Sequence, residues 1–288
     1  MDEAFVARAS TLVGCPLVLI PAGPFLMGSN VSAPHSPDRF EHPLHSVTLP
    51  AYAIGRFPVT NAEYARFIAA GGYATPEWWS EHGWKIKESG NIYWEDPKRR
   101  PPAWTGPENW GLAGWDAPDQ PVTGVNWYEA DAYCRWLSIQ SGLLVTLPSE
   151  AEWEKAARGP DGRRFPWGDH APTAALCTFD LPWTTGRPTP VGKHSPQGDS
   201  PYGCADMVGN VREWTCSPFR PYPFKPEPRV TDMTVVSRGA SWNFGAESLH
   251  CAKRFGHNGQ AMRERDGHVM RAASESFRIV VLGAAGPA

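Results

Sequence analysis

The fold is decided by the stretch Pro201-Tyr202-Gly203-Cys204-Ala205-Asp206-Met207-Val208-Gly209-Asn210-Val211-Arg212-Glu213-Trp214-Thr215, which is followed after a short interval by Arg238-Gly239-Ala240-Ser241-Trp242-Asn243. The first segment has the composition of a loop that holds a hard cation. Asp206 and Glu213 supply carboxylates, and the Gly209-Asn210 turn between them can direct main-chain carbonyl groups inward. Calcium prefers oxygen-rich coordination of this kind, so the segment predicts a cation-binding loop.

The composition indicates a loop-rich globular protein. Of 288 residues, 41% are hydrophobic and 20% are charged, which provides enough apolar material for a core. The formal net charge is -3, whereas nucleic acid or an anionic membrane would demand a basic face, so neither is expected as a partner. The 14 Trp, 28 Gly and 30 Pro residues are typical of irregular segments that large rings hold in place.

The sequence also bears on the compartment. Residues 1–6 show neither a basic nor an apolar region of a secretory signal, and no apolar stretch approaches the roughly 20 residues that cross a bilayer. The six cysteines are scattered and form no C-x-x-C pair. We therefore expect a soluble cytoplasmic protein with reduced thiols.

Three segments predict helices because each begins with a capping box, in which the N-cap residue and the residue three positions later bond each other's backbone N–H groups. The boxes are Thr60-Asn61-Ala62-Glu63, Asn126-Trp127-Tyr128-Glu129 and Ser149-Glu150-Ala151-Glu152. Apolar residues at helical spacing follow each box, and glycines end the segments near residues 71, 142 and 159.

Short strands are predicted at residues 17–20, 25–27, 45–49 and 277–282. Residues 72–120 carry seven of the tryptophans without clean periodicity, so we expect a long loop there. No tandem repeat or separating linker is visible. The chain is therefore interpreted as an N-terminal lead-in over residues 1–16 and one domain over residues 17–284.

Further motifs follow one another along the chain: Ile20-Pro21-Ala22-Gly23, Pro58-Val59-Thr60-Asn61, Leu147-Pro148-Ser149-Glu150-Ala151-Glu152-Trp153-Glu154, Pro166-Trp167-Gly168 and Phe277-Arg278. With the two segments quoted first, they resemble the sulfatase-modifying-factor (formylglycine-generating enzyme) family from about residue 17 to 282. The resemblance implies an α+β fold, a single loop-rich domain that is a formylglycine-generating-enzyme-like variant of the C-type-lectin fold. Because the family is functionally mixed, the fold alone does not select a reaction.

The resemblance implies a structural calcium ion in the quoted loop. Its side-chain ligands would be Asp206 and Glu213, and its main-chain carbonyl ligands would be Val208, Gly209 and Val211. The alternative is a solvated turn capped by an acidic residue.

The copper-binding cysteine pair of formylglycine-generating enzymes is missing. The family pattern Arg-Gly-Gly-Ser-Tyr-x-Cys falls on residues 238–244, so Phe244 takes the place of the first cysteine and Leu249 that of the second. Thiolates are the ligands that suit Cu(I). Arg212 also replaces an aromatic residue of the family pattern, whereas Ser241 is retained. True formylglycine generation is therefore not expected.

Other residues are weaker candidates for chemistry. Cys251, with His250, His257 and His268 nearby in sequence, could form a Cys/His metal site or an activated thiolate. The interpretation that the residues favour is a small buried residue, because the spacing matches no standard metal motif. Ser241 is the remaining catalytic candidate.

Candidate ligand-binding residues come from the tryptophan-rich stretch, from the segment over residues 238–243 and from residues 255–276. They are Trp78, Trp84, Trp242, Arg263 and His268. An aromatic cleft would suit a flat or cationic ligand. The alternatives are tryptophans that anchor a long loop and a solvated charged loop over residues 255–276.

Three functions remain open at this point. The first is an oxygen-dependent oxidoreductase distinct from formylglycine generation, whose redox metal and ligands are unassigned. The second is a non-catalytic module that binds a small molecule, a peptide or a protein. The third is a silent paralogue in a complex. The sequence names no substrate, does not establish catalysis, and gives no oligomeric state.

Overall fold

The computed structural model describes residues 1–30, 38–89, 103–223, 235–256 and 271–283. Five α-helices lie within these ranges: α1 Glu3–Val13, α2 Asn61–Ala69, α3 Glu81–Ser89, α4 Trp127–Ser141 and α5 Glu150–Arg158. Ten strands accompany them: β1 Leu17–Ile20, β2 Gly23–Met27, β3 His45–Leu49, β4 Tyr52–Gly55, β5 Leu144–Thr146, β6 Arg212–Pro218, β7 Val235–Arg238, β8 Arg254–Gly256, β9 Glu275–Ser276 and β10 Val280–Leu282.

The three predicted capping boxes are confirmed. At the start of α2, Thr60 Oγ1 accepts from the Glu63 backbone N–H at 3.2 Å, and Glu63 Oε2 accepts from the Thr60 N–H at 2.8 Å. The same reciprocal pair begins α4 and α5. These bonds satisfy backbone donors that a helix start leaves without an intrahelical partner.

The first sheet has the strand order β1-β4-β10-β5, and every neighbouring pair is antiparallel. Its last strand in sequence, β10, therefore lies between two strands formed far earlier in the chain. The predicted strand over residues 277–282 is shorter than expected because Phe277 and Arg278 leave the ladder. The Phe277 carbonyl accepts from the Val59 N–H at 2.8 Å, and Arg278 turns into the interior.

Two further sheets complete the fold. Strands β2 and β3 form an antiparallel hairpin. The third sheet has the order β8-β7-β6-β9, in which β6 and β9 run parallel. Strand β6 directly continues the quoted cation-loop segment, so this sheet fixes the position of that loop.

Two helices were not predicted. Helix α1 lies in residues 1–16, where only a lead-in is predicted, and buries Val6, Ala9 and Val13. Helix α3 lies within residues 72–120, so the expectation of an uninterrupted loop there is wrong. Its apolar pattern is short, since Ile86 is its only large hydrophobic residue that is fully buried.

The interior has two parts of different character. An aromatic cluster packs around α2 and α4, where the Tyr64 and Tyr133 rings stack with centroids 5.4 Å apart. On the other side, all nine residues of α5 are buried although five of them are charged. In the described ranges, no helix is long and apolar enough to cross a membrane.

Candidate functional site

The predicted cation loop, residues 206–213, is a tight buried turn. Asp206 and Asn210 adopt left-handed backbone conformations, with φ of 54° and 59°. Asp206 Oδ2 accepts from the Gly192 N–H at 2.7 Å. Asn210 Oδ1 accepts from the Thr189 N–H at 2.9 Å, so the loop is tied to the segment that precedes it. We call residues 206–213 the Asp206 loop.

Glu213, at the end of the Asp206 loop, is held by a buried arginine. Arg278 donates to it through Nε at 2.6 Å and through Nη2 at 2.7 Å, and Trp153 Nε1 donates at 2.9 Å. Both side chains of the ion pair are fully buried. The carboxylate that the sequence assigns to calcium therefore already has a permanent cationic partner.

Asp206 has no such partner. The pKa of its carboxyl is raised to about 6, chiefly by burial and to a smaller extent by the charges of Glu213 and Asp199, against the lowering effect of the Gly192 N–H and Arg278. Among the described residues, no hydrogen bond reaches the main-chain carbonyl oxygens of Val208, Gly209 or Val211. Buried carbonyl groups are normally paired, so this part of the loop has unused oxygen ligands.

A pocket of about 370 Å³ opens beside the end of the Arg238-Gly239-Ala240-Ser241-Trp242-Asn243 segment. Its lining combines phenyl rings with charged groups, and includes Phe219, Phe244, Phe255, Arg212, Lys253 and Glu41. A cavity of this size with a few polar groups among apolar walls is typical of a small-molecule site. The pocket contains Phe244, the residue that stands in place of the first copper cysteine.

Arg212 is held between two rings of the pocket. Its guanidinium carbon lies 5.1 Å from the centroids of both Phe244 and Phe255, a distance at which cation–π attraction operates. Arg212 Nη2 lies 2.5 Å from Glu275 Oε1. Arg212 Nε is buried and has no hydrogen-bond partner in the part of the chain that the structure describes.

The other pocket charges are arranged differently. Arg254 is fully engaged: Nε and Nη2 donate to Glu150 at 2.8 and 2.9 Å, and Nη1 donates to the Phe40 carbonyl at 2.6 Å. Lys253 Nζ and His250 Nδ1 each lie 3.7 Å from a carboxylate oxygen of buried Glu41. The pocket thus presents several cationic groups close to compensating carboxylates.

The hypothesis of a Cys/His site around Cys251 stays a prediction, because two of its three histidines lie outside the described residues. Cys251 is fully buried in an apolar cluster, and burial raises the pKa of its thiol to about 12, which agrees with the alternative of a small buried residue. Within the described ranges, no group of three or more His, Cys, Asp or Glu side chains could hold a metal ion. His257, His268 and Arg263 lie outside the described residues.

Ser241, the retained catalytic candidate, is buried. Its Oγ donates to Asn243 Oδ1 at 2.7 Å. The preceding residue, Ala240, has a φ of 56°, a conformation that favours glycine, which the family pattern carries at this position.

The three candidate tryptophans make packing contacts away from the pocket lining. Trp78 lies against the aromatic cluster, and its ring centroid is 6.1 Å from that of Phe67. Trp84 also packs on that cluster. Trp242 is 1% exposed and lies under Trp183 with ring centroids 5.5 Å apart. These contacts agree with the alternative interpretation, in which the tryptophans anchor loops.

Sequence reasoning singled out Arg212 and Phe244 but missed the rest of the pocket. Phe219, Lys253 and Phe255 come from separate segments of the chain that only the third sheet brings together. The adjacent residues Lys253-Arg254-Phe255 were the one local signal, since two cations beside a ring suit an anionic ligand.

Comparison with known proteins agrees with this architecture. The family model described as "Sulfatase-modifying factor enzyme 1-like domain" matches residues 6–274. The chain is 42% identical over 246 residues to a hercynine oxygenase of Mycolicibacterium smegmatis, covering 78% of this chain and 54% of that protein. It is 33% identical to the inactive C-alpha-formylglycine-generating enzyme 2 of Mus musculus, covering 78% and 74% of the two chains.

A solved structure supports the fold independently of the family model. PvdO from Pseudomonas aeruginosa superposes with a TM-score of 0.66 at 23% identity, covering 92% of this chain and 93% of that one. This confirms the predicted α+β single-domain fold. The chain spans about half the length of the hercynine oxygenases that it matches. By the extent of the matched residues and the identity to its relatives, the chain belongs to the sulfatase-modifying factor enzyme 1-like domain family.

Proposed function

We propose that this protein is an oxygen-dependent oxidoreductase related to the hercynine oxygenases and distinct from formylglycine-generating enzymes. The observation that carries the proposal is the 42% identity to a hercynine oxygenase over most of the chain. The residues at the two copper-cysteine positions support it, because Phe244 and Leu249 offer no thiolate.

The pocket beside Phe244 is the proposed substrate site. Leu249 is fully buried in a neighbouring cluster with Cys177 and Ala240, so the second cysteine position contributes to packing. Phe244 instead gives the pocket an apolar wall next to Arg212. Such a site suits a small molecule that combines a flat or apolar body with a charged group.

The described residues do not fit a redox metal. The copper positions are occupied by carbon side chains, and the described part of the chain brings together no three suitable His, Cys, Asp or Glu ligands. We therefore assign no redox-metal ligands and no step that runs through such a metal.

The Asp206 loop, in contrast, has oxygen ligands that suit calcium. A structural Ca²⁺ ion in this loop is therefore part of the proposal. Asp206 would supply a carboxylate, and Val208, Gly209 and Val211 would supply carbonyl oxygens. A bound divalent cation would stabilise the ionised carboxylate that burial disfavours. Glu213 would share its charge between the ion and Arg278.

The proposed activity is tested by dioxygen consumption. The purified chain is incubated with hercynine and a panel of small thiols, with and without added Fe²⁺, while an oxygen electrode and mass spectrometry record uptake and products. We expect substrate-dependent uptake in the wild type and in the surface variant Arg135→Gln. Phe244→Trp, which narrows the pocket, should reduce uptake while retaining the circular dichroism spectrum. Absence of substrate-dependent uptake under all these conditions would overturn the proposal.

A catalytically inactive binding protein is the second candidate. The observation that favours it is the 33% identity to a protein named as an inactive formylglycine-generating enzyme, together with the missing thiol pair. This candidate predicts saturable ligand binding to the wild type and its loss in Phe244→Trp, with no dioxygen uptake in either protein.

A cytoplasmic location is also proposed. All six cysteines are free thiols in the structure, and five of them are buried. Reduced cysteines are typical of a reducing compartment. Fractionation of the native host, with detection by antibody, would place the protein in the soluble cytoplasmic fraction if this is correct.

A further inference from the structure

A buried carboxylate at the start of α4 accepts hydrogen bonds from several donors. Glu129 completes the capping box by accepting from the Asn126 N–H at 2.9 Å. Arg271 donates to Glu129 through Nε at 2.9 Å and through Nη2 at 2.7 Å. The hydroxyl of Tyr73 donates to Glu129 Oε1, with the two oxygens 2.5 Å apart. This short distance is typical of a hydroxyl that donates to a charged oxygen.

Tyr73 is therefore a phenol that has a proton acceptor in place. Burial, and after it the charge of Glu129, raises the pKa of the Tyr73 hydroxyl well above its ordinary range, so the resting side chain is a neutral phenol. A phenol that loses an electron becomes a strong acid, and its oxidation is easiest when a base takes the proton in the same step. Glu129 Oε1 already lies along that hydrogen bond.

A chain of rings leads from Tyr73 towards the surface. The ring centroids of Tyr73 and Trp79 are 5.6 Å apart, and those of Trp79 and Trp84 are 6.2 Å apart. Both distances lie within the range of aromatic pairs in contact. Trp79 is buried, whereas Trp84 is partly exposed. Because electron transfer weakens steeply with distance, rings in contact are a favourable route for an electron. We call Tyr73, Trp79 and Trp84 the ring chain.

The two tryptophans of the ring chain are poor places for the loss of an electron to remain. Trp79 Nε1 donates to a main-chain carbonyl at 2.8 Å, and a carbonyl is too weak a base to take its proton. Lys87 Nζ lies 4.2 Å from the Trp84 ring centroid, and its positive charge, which Glu88 compensates in part, opposes oxidation of that ring. Both contacts favour oxidation of Tyr73 over oxidation of the tryptophans.

Other buried tyrosines differ from Tyr73 in what surrounds the phenol. Tyr222 also donates to a carboxylate, Glu150 Oε2, at 3.1 Å. The guanidinium carbon of Arg254 lies 4.0 Å from the Tyr222 ring centroid, however, and this positive charge opposes removal of an electron. Tyr52 donates to a main-chain carbonyl at 2.6 Å, which is a weak proton acceptor.

We propose that Tyr73 is a redox-active tyrosine, which gives an electron through the ring chain to a one-electron oxidant at the surface and gives its hydroxyl proton to Glu129. The oxidant takes an electron from Trp84, Trp79 replaces it, and Tyr73 replaces the electron of Trp79. The Tyr73 O–H bond breaks and an O–H bond to Glu129 Oε1 forms. The products are a neutral phenoxyl radical, a protonated carboxyl group and an oxidant that is reduced by one electron.

This activity is separate from the proposed function. The ring chain shares no residue with the pocket lining. The presence or absence of substrate-dependent dioxygen uptake therefore does not decide whether Tyr73 is oxidised.

The experiment uses a photochemical oxidant and electron paramagnetic resonance. Tris(bipyridine)ruthenium(III), generated by light with a cobalt(III) ammine as electron acceptor, oxidises the full chain, and the sample is frozen at once. Protein made with ring-deuterated tyrosine identifies a tyrosyl radical by its changed hyperfine splitting. We expect a tyrosyl signal in the wild type and its loss in Tyr73→Phe, which keeps the ring and removes only the hydroxyl. Tyr222→Phe, the matched control, should retain the signal.

The route and the proton transfer are tested separately. Trp79→Phe interrupts the ring chain and should remove most of the tyrosyl signal. In the wild type, the transient absorption of oxidised tryptophan should decay more slowly in heavy water, because a proton moves with the electron. Tyr73→Phe should lose this solvent isotope effect. A merely structural role for the Tyr73 hydroxyl would leave the decay unchanged.

The role of Glu129 is tested by Glu129→Gln/Arg271→Gln. Removing both charges leaves no guanidinium group buried without its partner. An amide oxygen is a much weaker base than a carboxylate, so a tryptophan signal should replace the tyrosyl signal in this variant. A tyrosyl signal that persists in the folded double variant would overturn the assignment of Glu129 as proton acceptor.

Four other results would each overturn the proposal. They are no tyrosyl signal in the wild type, a tyrosyl signal that survives in Tyr73→Phe, an equal loss in Tyr222→Phe, and equal yields in the wild type and Trp79→Phe. Circular dichroism of each variant establishes that the fold is retained. The wild-type signal and its solvent isotope effect need no variant, so the proposal can fail even if Tyr73→Phe does not fold.

Discussion

The two parts of the interior are built from different interactions. Around α2 and α4, aromatic rings pack on one another. The ring centroids of Phe67 and Trp136 are 5.6 Å apart, and those of Tyr133 and Phe277 are 5.4 Å apart. Around α5, buried guanidinium and carboxylate groups pack beside the Trp153 ring. Arg158 pairs with Glu154 at 2.9 Å, Arg238 with the same carboxylate, and Arg254 with Glu150.

This difference between the aromatic and the ionic part shows that burial alone does not decide what stabilises a core. The aromatic part gains free energy with the apolar area that it removes from water. The ionic part begins with a desolvation penalty that only well-formed pairs offset. Its stability should therefore depend on complete pairs, whereas the aromatic part should depend on filled volume.

Arg278→Met is expected to have the largest effect. It leaves Glu213 buried with the indole N–H of Trp153 as its remaining side-chain donor, and breaking a buried pair in this way costs about 3–5 kcal/mol. The free energy of unfolding from urea titration measures the loss. The double variant Glu213→Gln/Arg278→Met should recover only part of it, because the carbonyls of Gly55, Arg56 and Ala205 still lose Arg278 as a donor. A loss below about 1 kcal/mol, the size of a surface pair, would contradict the interpretation.

Removal of calcium by a chelator should have the second-largest effect on stability. The folded-state pKa of Asp206, about 6, lies above the ordinary value of 3.8, so the folded state binds this proton more tightly than the unfolded state. Without calcium, stability should therefore rise as the pH falls from 7 through 6 toward 4, by about 2–3 kcal/mol in total.

Added Ca²⁺ should reverse this dependence of stability on pH, because the ion stabilises the ionised carboxylate of Asp206 at pH 7. Thermal unfolding with EGTA or with Ca²⁺ across this pH range checks both trends. Asp206→Asn should show neither the pH-dependent gain nor the calcium effect. An identical pH profile in the two conditions would count against a calcium ion in the Asp206 loop.

Phe67→Leu should have a smaller effect that does not respond to salt. Removing part of a buried ring costs about 1–2 kcal/mol through lost contacts and a residual cavity. Because no charge is changed, the difference from the wild type should be equal at low and high ionic strength. Urea titrations at two salt concentrations measure this, and a salt-dependent difference would show that the two parts of the interior are not separable.

Arg135→Gln should have the smallest effect of the four. Arg135 Nε lies 2.6 Å from Asp131 Oδ2 on the surface of α4, and 43% of the arginine side chain is exposed. Exposed pairs of this spacing contribute about 0.3–0.5 kcal/mol. Arg278→Met, by comparison, removes a buried arginine that donates to three main-chain carbonyls as well as to a carboxylate. Equal losses in urea titration would refute that explanation.

Local sequence signals predicted the elements that depend on local chemistry. The capping boxes of α2, α4 and α5 were readable because the bonding groups are three residues apart. Helix α3 is not predicted by the sequence, because its apolar residues are few and its start carries no capping box. The charged residues of α5 resemble an exposed helix face in sequence. Their partners lie far along the chain, as Arg254 does from Glu150.

The candidate site divides in the same way. The Asp206 loop is contiguous, so its oxygen donors can be recognised from one motif, although the pairing of Glu213 with Arg278 cannot. The pocket needs the third sheet to bring Phe219, Phe244 and Phe255 together. No periodicity in the sequence predicts that these three rings lie together. Of the pocket residues, only Arg212 and Phe244 are singled out, because they depart from the family pattern.

The central position of β10 has a consequence for how the protein is made. Residues 277–282 supply a ring to the aromatic part, Arg278 to the ionic part and the strand between β4 and β5. A ribosome delivers these residues after nearly everything that they join. The growing chain must therefore hold two unfinished interiors, with exposed strand edges, until residues 277–282 have been made, a state in which aggregation and proteolysis compete with folding. Both interiors are completed by the same few residues at the same moment.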